Sequence, residues 1–184
     1  MKKILIVVDY QNDFVTGSLA CGQDAIDIED GIYNKVKEYL NNNDTVIFTK
    51  DAHLASEYFD TQEHNLYPDH CIINENYEDT HGVSLYGKLA EFNDDSEEKW
   101  MILYKPSNMA IGIEDWIGQL SDLDIEICGL ATDLCVMKTA LYINDFYNRK
   151  DVVVHVNSEL CASYDRGKHD RALDVMEDNG IIIL

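Results

Sequence analysis

Three residues of this sequence have types and settings suited to acyl-transfer chemistry: Asp9, Lys105 and Cys135. Cys135 follows Gly129-Leu130-Ala131-Thr132-Asp133-Leu134 and stands at the start of an amphipathic stretch. A thiol near a helix N-terminus feels the positive end of the helix dipole, which favours the nucleophilic thiolate. Amides of the same turn can donate hydrogen bonds to an oxyanion formed on an attacked carbonyl. A free cysteine is more often a small buried apolar side chain, and Cys128 and Cys161 are read that way. Asp9 and Lys105 each end a short apolar run. As a pair they suit a structural ion pair or a solvated rim. They equally suit a base for the thiol and a charge that keeps that base ionised. Residue type alone leaves the two readings even.

A second group has ligand chemistry. Asp51-Ala52-His53, with His70 further on behind the turn-forming Tyr67-Pro68-Asp69, offers one carboxylate and two imidazoles. That set suits zinc, iron or manganese, with zinc the first choice. Glu63 lies in the same segment and is an additional candidate ligand. His64, His81, His155 and His169 are expected to be surface or core histidines.

These residues need a scaffold that brings them together, and the apolar pattern supplies one. Short β-branched runs over 4–8, 45–49, 100–104, 124–128, 152–156 and 181–184 read as six strands. Helical spacing is expected over 26–40, 85–92, 113–120, 133–147 and 165–178. Asn41-Asn42-Asn43-Asp44 and Asn179-Gly180 serve as helix stops. Strands alternating with helices predict a three-layer α/β/α sandwich with a six-stranded, mostly parallel sheet, formed by residues 1–184 as a single domain. Ligands of such sheets bind beyond the carboxyl ends of the strands. Asp9, Asp51, His53, Lys105 and the segment leading to Cys135 all stand there, while Asn157-Ser158-Glu159 adds nothing of chemical force. The polar, aperiodic segment over about 51–83 is long for a connection and is expected to be a metal-binding loop.

Composition narrows the function classes. The net charge of −21 argues against binding nucleic acid or an anionic membrane surface, because phosphates are repelled. No apolar run approaches the ~20 residues needed to span a bilayer. Met1-Lys2-Lys3 runs directly into an apolar strand with no signal-peptide pattern. The five cysteines are scattered and form no Cys-x-x-Cys pair, so reduced thiols in a cytoplasmic protein are expected.

The same residues carry a family resemblance. Asp9-Tyr10-Gln11-Asn12-Asp13-Phe14 with Thr16-Gly17-Ser18-Leu19 resembles the opening motif of the isochorismatase-like hydrolases. Gly129 to Val136 is similar to their nucleophile motif, and Lys105 falls where their lysine does. Asp51-x-His53 with Tyr67-Pro68-Asp69-His70-Cys71 resembles the metal motif of the nicotinamidase branch. The resemblance implies Cys135 as nucleophile, Asp9 as proton acceptor and donor, and Lys105 as electrostatic organiser. It implies an oxyanion hole from the amides of Ala131 and Cys135, a cis Leu130–Ala131 peptide, and a metal held by Asp51, His53 and His70 that receives the substrate's ring nitrogen. Phe14 and Tyr67 would wall that ring. The implied reaction is hydrolysis of nicotinamide to nicotinate and ammonia through a cysteine thioester, as in NAD salvage, by an enzyme that acts alone or as a homo-oligomer. The rival readings are an amidohydrolase for another carboxamide or carbamoyl compound, and a non-catalytic metal-binding protein. The sequence departs from the family where Met109-Ala110-Ile111 replaces Ser-Ala-Phe, and Ile111 is expected to alter the pocket.

Overall fold

The computed structural model describes residues 1–76, 78–94 and 99–184. The apolar runs form β1 (Lys2–Val8), β2 (Thr45–Asp51), β5 (Met101–Lys105), β6 (Leu123–Leu130), β7 (Val152–Ala162) and β8 (Ile182–Ile183). They make one sheet in the order β5-β2-β1-β6-β7-β8. Every neighbouring pair is parallel, so the sheet is wholly rather than mostly parallel. β1 is central, and Ile4 to Val8 are fully buried. That is why this strand is continuously apolar instead of alternating.

The sheet is built outward from β1 in two directions, towards β2 and β5 on one side and β6, β7 and β8 on the other. The crevice between the ends of β1 and β6 is therefore the topological switch point. Register brings the strand ends level: Val8 is opposite Thr49 and Gly129, and Asp51 is opposite Lys105. At Gly129 the backbone has φ 119° and approaches β1 closely. An added Cβ would lie 2.8 Å from the Val8 nitrogen and overlap its carbonyl oxygen, so only glycine fits.

The helices cover the sheet faces, and their boundaries refine the expected ones. The stretch read as one helix over 26–40 is two, α2 (Gln23–Asp27) and α3 (Glu29–Asn41), broken at Ile28. Apolar spacing did not reveal the break, because both pieces bury their apolar side on the same core. Asn12–Val15 forms a further turn, α1. The helix expected over 85–92 is a 3₁₀ helix, Gly87–Phe92. That over 113–120 stops early as α6 (Ile113–Ile117), where Gly118 takes a left-handed conformation at φ 65°. The nucleophile stretch starts as a wide π turn over Thr132–Val136 before becoming α7 (Met137–Tyr147), and α8 (Arg166–Asp178) follows β7.

The segment 51–83 is more regular than its composition implies. It folds into β3 (His53–Leu54), α4 (Ala55–Tyr58), α5 (Gln62–Leu66) and β4 (Ile72–Ile73), and β3 pairs with β4 in a small second sheet. It is fastened down by the opening motif. Gln11 Nε2 donates to the carbonyls of Asp51 and Val83, both at 2.8 Å, and Gln11 Oε1 accepts from the Asp51 amide. Asn12 Nδ2 donates to the His81 carbonyl at 2.7 Å, and Asp13 Oδ2 accepts from the Cys71 amide at 2.7 Å. Among the described residues, no helix is long and apolar enough to cross a membrane.

Candidate active site

Asp9 follows β1 directly, with φ 47°, a left-handed conformation that Asp tolerates better than most residues. Its Oδ1 accepts a 2.6 Å hydrogen bond from Thr49 on the neighbouring strand. Its Oδ2 lies 2.6 Å from the Lys105 ammonium but has no well-aligned hydrogen-bond donor. Lys105 also reaches Asp51 Oδ1 at 3.3 Å, the Ser107 carbonyl at 2.9 Å and the Cys135 sulfur at 3.7 Å. All four of Asp9, Asp51, Lys105 and Cys135 are buried. The structure thus brings together the three residues expected to do acyl chemistry.

Burial sets their protonation. It raises the Asp9 carboxyl above the ordinary carboxylate range, against the opposing pull of Lys105. Burial alone would raise Asp51 too, but Lys105 and the two imidazoles bring it well below that range. Lys105 is held as the ammonium: desolvation opposes the charge, and the Asp51 and Asp9 carboxylates outweigh it. Cys135 is pushed well up by burial, with Lys105 opposing and Asp9 and Asp51 reinforcing the rise. Desolvation and the two carboxylates thus oppose the thiolate that a place at a helix start favours. A thiol beside a carboxylate can still be deprotonated as it attacks.

Asp51, His53, Glu63 and His70 converge from β2, β3, α5 and the turn before β4. Each offers one ligand atom, and these atoms all lie within 4.8 Å of one another. His70 Nδ1 is 2.7 Å from the Pro68 carbonyl, so it carries the proton and donates. That leaves Nε2 facing Asp51 Oδ2 at 3.4 Å and Glu63 Oε1 at 3.8 Å. Lone pairs of nitrogen and oxygen crowded in this way call for a cation between them. The raised affinity of His70 for a proton has the same origin: burial opposes the charge, while Asp51, the Pro68 carbonyl and Glu63 favour it. Two nitrogens and two carboxylates suit zinc, iron or manganese.

Between the thiol and this cluster lies a cavity of about 10 Å³, room for about one water. Phe14, Tyr67, Ala131, Cys135, Asp51, Glu63 and His70 line it, as expected from the sequence. Leu19, Asn108, Leu134 and Tyr164 line it as well, and sequence reasoning missed them. Tyr164 was hidden because β7 runs on to Ala162, past the β-branched core of the strand, and so delivers Ser163 and Tyr164 to the nucleophile turn. Ser163 hydrogen-bonds Asp133 of that turn. Ile111, which stands where the family has Phe, is 64% exposed and lines no part of this cavity. A larger groove of about 470 Å³ is lined by His53 and Lys105 but does not reach Cys135. The chemistry therefore belongs to the smaller one.

The Leu130–Ala131 peptide is cis. Of the remaining histidines, His169 is buried with Nδ1 2.8 Å from Thr132 Oγ1. His64 and His155 pair with Asp69 and Asp124.

The isochorismatase domain model matches residues 3–184. The chain belongs to the isochorismatase family. Within that family, an isochorismatase family protein named PncA from Bacillus subtilis is 34% identical over 180 residues, covering 94% of this chain and 93% of its own. The crystal structure of a nicotinamidase/pyrazinamidase PncA from the same species shares 31% identity and a TM-score of 0.82, covering 100% of this chain and 99% of that one. A pyrazinamidase of Pyrococcus horikoshii, solved in complex with zinc, has the same fold at 23% identity and a TM-score of 0.79, covering 100% and 99%. This member of the isochorismatase family is an amidohydrolase acting on a carbon–nitrogen bond.

Proposed function

We propose that this amidohydrolase is a metal-containing nicotinamidase, converting nicotinamide to nicotinate and ammonia through a thioester on Cys135. One observation carries the reading: Lys105 joins the base Asp9, at 2.6 Å, to the thiol of Cys135, at 3.7 Å, beside a four-donor metal cluster. The ring of the substrate enters between Phe14 and Tyr67, which must part to admit it, because the resting cavity holds about one water. Cys135 gives its proton to Asp9 as sulfur bonds the carboxamide carbon, and the amides of Ala131 and Cys135 hold the oxyanion. Asp9 returns that proton to the amide nitrogen, the C–N bond breaks and ammonia leaves. Water then attacks the thioester with Asp9 again as base, the C–S bond breaks as the proton held by Asp9 restores the thiol, and the nicotinic acid formed leaves as nicotinate after giving its proton to solvent or the released ammonia. Lys105 keeps Asp9 ionised between these transfers.

Asp51, His53 and His70, with Glu63 as the fourth donor, would hold the divalent ion, zinc first. Bound there, the ion supplies positive charge and a Lewis-acidic site for the ring nitrogen of the substrate. The zinc named for the Pyrococcus relative supports this assignment. A cytoplasmic role in NAD salvage is part of the same proposal.

The test is ammonia release from nicotinamide by the metal-analysed protein, with Cys135→Ala as control and chelator dialysis followed by zinc add-back. The expected outcome is release that Cys135→Ala abolishes and that zinc restores to the dialysed protein. A folded, metal-loaded wild type that releases nothing removes nicotinamide as substrate. Full activity after verified metal removal separates the chain from the metal-dependent reading.

A further inference from the structure

We propose that Asn108 is a specificity-determining residue, whose side-chain carbonyl accepts an N–H of the substrate's carboxamide and so selects amides over isosteres that lack that donor. The proposal rests on the carboxamidase reading above. Asn108 stands between the nucleophile and the metal cluster: Oδ1 is 3.6 Å from the Cys135 sulfur, and Nδ2 is 3.4 Å from Glu63 Oε1. The orientation is dictated chemically. A carboxylate can only accept, so the amide nitrogen faces Glu63, and the carbonyl oxygen is left towards the thiol, which can donate.

The loop bearing Asn108 is held on both sides. Lys105 donates to the Ser107 carbonyl at 2.9 Å, and the Ala110 amide donates to Thr139 Oγ1 at 3.3 Å. Of the segment 106–111, Asn108 alone lines the cavity. At rest its carbonyl accepts from the thiol. During attack the thiol proton passes to Asp9, and Oδ1 loses its donor just as the carboxamide arrives beside the sulfur. An N–H of that carboxamide is the replacement donor. Held this way, the amide nitrogen is turned towards Asn108, which leaves the carbonyl oxygen for the Ala131 and Cys135 amides. An unpaired carbonyl in a dry site is costly, so a substrate without N–H is penalised.

Nicotinaldehyde separates this role from a structural one, because it carries the same ring and carbonyl as nicotinamide but has no N–H. In the metal-loaded holoenzyme, Asn108→Leu is expected to lower kcat/KM for nicotinamide about tenfold. Its inhibition constant for nicotinaldehyde should stay within about twofold of wild type, or tighten, as the unpaired carbonyl is removed. Both constants are measured against titrated active sites, because a partly folded variant lowers apparent kcat/KM without changing an inhibition constant, and Asn108→Ser replaces Asn108→Leu if the latter yields no active protein. Equal weakening towards both compounds, or unchanged amide turnover in an active wild-type background, overturns the assignment. If wild type hydrolyses another carboxamide instead, the comparison is made with that amide and its aldehyde. A wild type inert towards all carboxamides overturns the carboxamidase reading itself.

Discussion

At Asp9 the demands of chemistry and of folding oppose each other. The side chain is fully buried, and burial raises its carboxyl above the usual range. An acid whose folded pKa exceeds its unfolded one binds protons more readily when folded. It therefore destabilises the fold at pH values above both, and that cost fades as pH falls through the folded pKa. Asp9→Asn removes the ionisation, while Lys105 keeps Asp51 as partner at 3.3 Å. The variant is expected to melt at or above the wild-type Tm at pH 7, with the gap closing in acid, and to lose about 10²–10⁴-fold in kcat/KM. Wild-type turnover by this variant would remove the base role, and a large fall in Tm would make the pair structural. At this scale the sequence was legible wherever chemistry dictates residue type. Asp51 and Lys105 end their strands, Asp9 and Cys135 follow theirs, and His53 and His70 come from the loop segment between β2 and β4. Asn108 and Tyr164 were not legible, because an amide in a loop and a tyrosine after a strand carry no pattern of their own.

At the level of elements, the site depends on β1 and β6 ending side by side. The sequence shows this through the runs that stop at Asp9 and Gly129: β1 is continuously apolar because it is buried on both faces, while β6 carries Asp124 and Glu126 in alternation with apolar residues. Hydrogen bonding within the segment 51–83 was less visible. β3 and β4 are two residues each, too short for any period, and they are fixed by Gln11, Asn12 and Asp13 from far away in sequence. Gly129 is the narrowest point of the arrangement. A methyl group there forces β6 away from Val8 and displaces both Asp9 and the Ala131 turn. Gly129→Ala also meets an unfavourable φ of 119°. The expected cost is about 2–4 kcal/mol, or about 5–15 °C in Tm for a chain of this size. Residual kcat should fall further than the folded fraction accounts for. A thermal melt and an assay well below Tm check both, and a variant that keeps wild-type Tm would mean that the strands can separate without strain.

Over the whole molecule, 35 acidic residues against 14 basic ones give a net charge of −21. Several of the lysines are committed to pairs, including the buried Lys50 with Asp79 at 2.6 Å and Lys105 with Asp9 and Asp51. Most of the excess is therefore repulsion among surface carboxylates, which favours the expanded chain. Salt shortens that repulsion, with a Debye length of about 10 Å at 0.1 M and about 3 Å at 1 M. Raising NaCl from 10 mM to 0.5 M is expected to stabilise the fold by an amount on the order of 1 kcal/mol, or about 2–4 °C in Tm. The site itself should respond differently. The Asp9–Lys105–Asp51 cluster is buried and poorly screened, and the proposed substrate, nicotinamide, is neutral, so kcat/KM should change little over the same range. Nicotinate is an anion that the molecule's field repels, so its inhibition of the enzyme should strengthen as salt is added. Thermal melts, initial rates and product-inhibition constants at the two salt concentrations measure the three responses separately. A Tm indifferent to salt would mean that the surface charge is already neutralised by bound cations. A kcat/KM that falls with salt would show that the buried cluster is open to solvent.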